Sequence, residues 1–408
     1  VVFAQALTLM LMPLLTRLYA VEAFGYFAIY VAMTNLIGIF STLRLEQTVP
    51  IAEDQREADA VSTLTVLMSL IAGLAVAVAT TIPQVRGLLP TMKQDWYIWG
   101  LTAASATFMG WIQILTQRLL RNGKLKYAAM RHIAEKASFL IIAIWAASAK
   151  HTNGGLIVAQ TVGNFVAVLM LMIGCAWLPK ITFHEMFRLA RKYSDFPRLN
   201  TASMALQLFT TQLPILLYSY YFTPEFLGYL NLAQRLAEAP NTVVSGALAP
   251  VFYRRLLTAG KHQYRRIFLR TTLWSATAFS IPMILFALNA QTIIDFVFGA
   301  KWHASMPFFL ALAPLTVTRL CYMIQQCWLI MLRHLDVDLK ISALLLAAQG
   351  LGIFIGLFFF STLLEPVIAA AALTSVVYIA GMIWISRLIH RAHTAPLPQP
   401  LSAEASLT

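Results

Sequence analysis

Apolar runs of about 20 residues recur from one end of this chain to the other, and no other feature constrains its fold as much. Each is long enough to cross a hydrocarbon core roughly 30 Å thick. Inside such a core every backbone amide and carbonyl needs an internal partner, so the runs must be helices. Twelve are expected, over 1–19, 25–46, 61–82, 96–116, 127–148, 155–177, 200–222, 228–251, 268–288, 304–330, 339–361 and 366–387. Only 12% of the residues are charged, against about 25% in soluble domains. No polar stretch is long enough for a large soluble domain. The fold class is therefore all-α, a polytopic membrane protein of about twelve transmembrane helices. Six spans fall on each side of a polar gap. This predicts an N-lobe over 1–177, a linker over 178–199, a C-lobe over 200–388 and a tail over 389–408. Val1 already lies inside the first span, so residues upstream of it are expected, and nothing reads as a cleavable signal peptide.

The net charge of +13 could suggest a nucleic-acid partner, but its distribution argues for none. Of the 30 Lys and Arg residues, 22 fall in the even-numbered loops, the linker and the tail, from Arg44 and Arg56 to Arg387 and Arg391. The opposite loops hold Arg86, Lys93, Lys150 and Lys301, with Arg17 at the edge. Such an asymmetry marks the basic side as cytoplasmic. Both termini are then cytoplasmic, and the excess charge faces the anionic headgroups of membrane lipids. Cys175, Cys321 and Cys327 have no CxxC or histidine context and read as small buried hydrophobes.

One stretch is written twice. "PLLTRLYAVEAFGY" from Pro13 matches "PILLYSYYFTPEFLGY" from Pro214, and Glu22, Gly25 and Tyr26 overlie Glu225, Gly228 and Tyr229 at a constant offset of 203 residues. Each half contains an even number of spans, so the halves enter the membrane in the same orientation. That describes two six-helix lobes related as parallel repeats, one of the common transporter layouts. In each copy the Pro is expected to end or bend a helix near the outer face, and Glu-x-x-Gly to begin the next. The linker "KITFHEMFRLARKYSDFPR" is amphipathic and should lie flat on the cytoplasmic surface, and "YRRIFLR" from Tyr264 reads as a second basic surface connector.

Polar side chains inside spans are costly and normally face a cavity or a partner. In the eighth span Asn231, Arg235, Glu238, Thr242 and Ser245 share one helical face, where Arg235 and Glu238 could also pair with each other at i,i+3. Asn200, Ser203, Gln207 and Thr210 do the same in the seventh, and Arg319, Tyr322 and Gln326 in the tenth. The second span carries Asn35 and ends in Arg44-Leu45-Glu46; the first offers Gln5, Thr8, Thr16 and Arg17. For each Ser, Thr, Asn or Gln alone, helix–helix hydrogen bonding is the commoner role, by about two to one over ligand contact. Together they predict a water-filled cavity with a positive lumen, suited to an anionic ligand whose phosphates match guanidinium geometry. The candidate ligand-binding set is Arg17, Arg44, Arg235, Arg319, Asn35, Asn231, Gln207 and Gln326, with Glu238 and Glu46 as candidates for ion coupling. No GxxxxGK[ST] or GxSxG occurs, so neither a P-loop nor a hydrolase elbow is present. "GLGIFIG" lies inside an apolar span, and Gly352 and Gly356 read as a helix-packing face rather than a nucleotide fingerprint.

The stretches "PLLTRLYAVEAFGYFAIYVAMTN", "LRLEQTVPIAEDQREAD" and "LPILLYSYYFTPEFLGYLNLAQRLAEAPNTVVSGALAPVFYRRL" resemble the bacterial oligosaccharide flippases. These are the O-antigen, capsule and exopolysaccharide repeat-unit exporters of the multidrug/oligosaccharidyl-lipid/polysaccharide superfamily. The resemblance covers nearly the whole chain. It implies a transporter, not an enzyme, with no cofactor. Such a protein would carry undecaprenyl-pyrophosphate-linked oligosaccharide from the cytoplasmic to the periplasmic leaflet by alternating access through a cationic cavity. Its energy source would be a proton or sodium gradient, and a polysaccharide polymerase is an expected neighbour. A peptidoglycan-precursor lipid flippase is an open alternative, as is a multidrug/toxin antiporter, although the first span lacks the acid an antiporter would want there. A membrane polysaccharide polymerase or ligase would need a larger external loop than 289–303.

Overall fold

The computed structural model describes residues 12–82, 96–149, 154–177, 188–189, 201–243, 248–257, 260, 263–332, 334–359 and 362–394. Among these the regular structure is helical, without a strand. The helices are α1 (12–18), α2 (Val21–Thr42), α3 (Gln55–Ala79), α4 (Trp96–Arg121), α5 (Leu125–Ser148), α6 (Gly155–Cys175), α7 (Ala202–Tyr221), α8 (Pro224–Val243), α9 (Ala249–Leu257), α10 (Tyr264–Leu288), α11 (Ala290–Phe298), α12 (Met306–Met331), α13 (Leu335–Phe359) and α14 (Glu365–Thr394), with 3-10 turns at Leu45–Ile51 and Ala300–Ser305. A helix lies on each of the twelve expected spans. Eight described helices are long and apolar enough to cross a membrane on their own. The helices α5, α7 and α8 have the length but not the composition, because they carry the ion pairs and polar stripes. Of the expected linker helix only Arg188 and Leu189 are described; they are helical, with Leu189 buried. The remainder of that expectation lies outside the described residues.

Large apolar side chains cover the outer faces. Ile71, Leu74 and Val78 on α3, Leu273, Ile284 and Leu288 on α10, and Phe354 and Phe358 on α13 are all exposed. In water so much apolar surface would drive association; in a bilayer it is the solvated face. The extreme is α10, whose only buried residues are Phe268 and Ser275.

The chain forms two compact units, one of residues 1–236 with 289–309, the other of 237–288 with 310–408. The division falls within α8 and assigns the segment around α11 to the first unit, a partition different from the lobes drawn on sequence alone.

In the first unit, the α2–α3 connection shows how local chemistry shapes the chain. After α2, Leu43 and Arg44 both adopt left-handed backbone, with φ of 48° and 60°, at a cost of about 1–2 kcal/mol each. The following 3-10 turn is held from α4: Arg121 donates to the carbonyls of Val49 (2.8 Å) and Ala52 (2.7 Å). Arg118 pairs with Asp59 at 2.6 Å and stacks over Trp177. The start of α3 is capped by Asp54, which accepts from the Glu57 amide at 2.6 Å, while Glu57 accepts from the Glu53 amide at 2.8 Å. Each side chain satisfies an amide that has no intrahelical partner. Deeper in the unit, Tyr30 on α2 hydrogen-bonds Ser105 on α4 and Thr161 on α6, and Asn164 donates to Ser105.

The second unit packs around Trp328, fully buried among Phe252, Tyr264, Leu256 and Ile385. A Cβ on Gly352 would collide with the Ala370 backbone, and one on Gly356 with Pro366, so these glycines let α13 and α14 touch along their main chains. The packing role expected of them is the one seen.

Candidate functional site

The repeated stretch meets itself in the first unit. A Cβ on Gly25 would overlap the carbonyl oxygen of Pro224, and a Cβ on Gly228 would overlap that of Val21. Under the 203-residue offset Gly25 corresponds to Gly228 and Val21 to Pro224, so one contact is made twice with the partners exchanged. Such reciprocity is the mark of a two-fold, self-complementary interface, here between the N-terminal turns of α2 and α8. Only glycine permits main chains this close. Pro13 lies within α1, and Pro214 lies inside α7 without ending it. The break comes instead at Phe222, whose backbone is extended.

The segment 289–305, expected to be a loop, consists of α11 and a 3-10 turn that cap this contact. Trp302 is fully buried, in edge-on contact with Phe24 at 4.9 Å and Tyr229 at 6.2 Å. Its Nε1 donates to the Thr16 carbonyl at 3.0 Å, and Lys301 Nζ donates to the Tyr19 carbonyl at 2.6 Å. Arg17, predicted to bind ligand, is exposed and donates to the Phe296 carbonyl at 2.9 Å, near the negative end of α11. Lys301 and Trp302 were not singled out from sequence; the available signal was a tryptophan within a short external loop.

The remaining candidates separate into three places. Arg235, on α8, lies over the ring of Phe27 at 5.0 Å, with Met12 Sδ at 3.9 Å from its guanidinium. Asn231, one turn earlier, is buried, and its Oδ1 has no hydrogen-bond partner among the described residues. Asn35 is half-buried on α2, and Gln207 is exposed on α7; these two helices touch through Phe40 and Phe209. In the second unit, Glu238 pairs with Arg319 of α12 at 3.2 Å. Gln326 donates to Asp338 at 2.8 Å, and the Tyr322 hydroxyl does so at 3.4 Å. Asp338 was missed because it stands at the edge of an apolar run. Just beyond the C-terminal end of α2, Arg44 and Glu46 lie 3.8 Å apart. Glu46 is buried, and its burial pushes the carboxyl pKa above the usual range, although Thr42 and Arg44 pull the other way.

All-helical architecture among the described residues, polar groups placed within apolar helices and a duplicated turn describe a polytopic membrane protein. Its solved structural relatives agree. A lipid II flippase MurJ in an inward closed conformation superposes with a TM-score of 0.75 at 13% identity, covering 95% of this chain and 87% of the other. An inward-facing multidrug resistance MATE family transporter of the MOP superfamily gives 0.64 at 14% identity, over 97% and 100%. MATE in complex with MaD3S gives 0.55 at 14%, over 96% and 94%. No curated protein sequence matches. Residues 14–307 match the family of polysaccharide biosynthesis proteins, well over half of the chain, and the protein belongs to that family.

Proposed function

We propose that this protein is a flippase that carries polyprenyl-pyrophosphate-linked oligosaccharide repeat units from the cytoplasmic to the periplasmic leaflet of a bacterial inner membrane. The observation that carries the reading is the pair Arg319–Glu238 within membrane helices, in a chain of a polysaccharide biosynthesis family. Arg319 is 30% exposed and Glu238 55%. Ion pairs as exposed as this contribute only about 0.2–1 kcal/mol, so a diphosphate with several charged oxygens can displace Glu238 from the guanidinium. The displaced Glu238 is the proposed ion-coupling group, which links cargo binding to ion movement. Within the first unit taken by itself, Arg235 is a cation backed by Phe27, and Asn231, Asn35 and Gln207 carry amides suited to sugar hydroxyls. The polyprenyl tail stays in lipid against the apolar outer faces. Two lobes, 1–177 and 200–388, alternate in exposing the cargo to each side, and the reciprocal glycine contact closes the outer one. No covalent step is involved.

The test is transport by purified protein in liposomes that carry a fluorescent lipid-pyrophosphate oligosaccharide on one leaflet. Gradient-dependent appearance on the other leaflet is expected. Absence of movement together with export of a soluble organic cation would assign the fold to an antiporter and overturn the cargo.

A further inference from the structure

A groove of about 790 Å³ opens on the second unit between α9, α10 and α12. One wall is Leu248, Val251, Phe252 and Arg255, the other Gln263, Arg266, Ile267, Arg270, Thr271 and Trp274, closed by Ile324. Both walls follow helical spacing, so each is a single stripe of its helix. Arg255 stands at the C-terminal end of α9, and Arg266 and Arg270 in the first turns of α10, so the guanidinium groups share one end. Val251 and Trp274, exposed by 70% and 52%, line the other. From Arg266 to Trp274 the rise is about 12 Å, enough to pass from headgroup depth to the acyl region. The groove's orientation is built in: Gln325 on α12 donates to Thr272 at 2.7 Å and to Thr271 at 3.2 Å, which fixes the rotation of α10. Between Glu238 and Asp295 the sequence contains six Lys and Arg residues and no Asp or Glu.

We propose that this groove binds an anionic phospholipid of the cytoplasmic leaflet. Its phosphate sits among Arg255, Arg266 and Arg270, and an acyl chain lies along Val251, Ile267 and Trp274. A cationic end continuous with an apolar slot matches a lipid and not a soluble anion, which would leave the apolar part unused. Basic pockets between helices on the cytoplasmic side are suited to phosphate headgroups, and a tryptophan at this depth is at home in the interface. Reading "YRRIFLR" as a mere surface connector undervalues it, because only the fold brings Arg255 to Arg266. The inference is independent of the cargo.

The experiment uses the full chain in vesicles of phosphatidylcholine, with brominated phosphatidylglycerol or brominated phosphatidylcholine as quencher of tryptophan fluorescence. Selective quenching by brominated phosphatidylglycerol is expected, with Trp274→Phe removing the selective component. The paired change Arg266→Gln and Arg270→Gln should lower the selectivity about tenfold or more, at roughly 1 kcal/mol per basic residue. Molar salt should lower it in the unaltered protein too, a readout that depends on no variant folding. Equal quenching by the two lipids would overturn the proposal, as would selectivity unchanged by the arginine substitutions or by salt. Displacement of the lipid by millimolar inorganic diphosphate would make the groove a soluble-anion site. Preference for a polyprenyl diphosphate over phosphatidylglycerol would make it a cargo site. Either result would equally end the phospholipid assignment.

Discussion

Glu46 is a carboxyl group buried beyond the C-terminal end of α2, with one oxygen lacking a hydrogen-bond partner among the described residues and Arg44 3.8 Å away. Burial raises its pKa in the folded protein above 4.5. The folded state therefore binds a proton over a range where the unfolded chain has released it. Stability falls as pH rises from about the unfolded value through the raised one. Glu46→Gln should flatten that slope and, at neutral pH, leave the protein as stable or more so; melting temperature against pH, in detergent, checks both. At Glu238 the expectation concerns function. Glu238→Gln frees Arg319 and should tighten binding of lipid-linked diphosphate while abolishing gradient dependence, measured by binding and flux on the same preparation. Unaltered gradient dependence would remove Glu238 from coupling. Arg235→Ala should insert normally into the membrane yet lose transport by about tenfold or more, the size of a lost charged contact. Recovery in Arg235→Lys would show that charge suffices without a planar fork.

Among elements, the turns of α2 and α8 are the most demanding. Gly25→Ala and Gly228→Ala each place a methyl group against a backbone carbonyl that has no side-chain freedom to yield. Each should cost about 1–3 kcal/mol and part the two turns. A cysteine at Ala23, which is fully buried, should react with a membrane-impermeant maleimide only in those backgrounds. Because the contact is reciprocal, the two substitutions should act alike. This pairing of turns was half-legible: the repeated letters told which residues are equivalent, but equivalence in sequence does not say that equivalents touch. Helix pairing was harder still to foresee. Glu238 had a ready local candidate in Arg235 at i,i+3, yet its ion pair goes to Arg319, 81 residues away. Gln326, assigned to ligand, donates to Asp338. Polar stripes announce that a helix must satisfy something without saying whether the partner is cargo or a neighbouring helix. The α11 helix was read as loop because nine residues are too few for a persistent pattern.

At the scale of the whole molecule, apolar run length was sufficient to give class and helix placement, since a bilayer leaves no other solution. The charge asymmetry then predicts that a reporter fused after Thr408 will be protected from periplasmic proteases in spheroplasts and exposed in inverted vesicles; the reverse pattern would invert the topology. The compact units are decided by which helices touch, and α8 contributes to both. One consequence of the glycine seam concerns how such a protein can change. Its closest approach is made by main chain against main chain, so it asks nothing of the side chains on the rest of α2 and α8. If the proposed cargo is right, residues such as Asn35 and Asn231 can be exchanged to suit a different sugar without altering the fit at the turns. On that proposal, closing and choosing are written in separate parts of the same two helices, and a new specificity can be acquired without relearning how to shut.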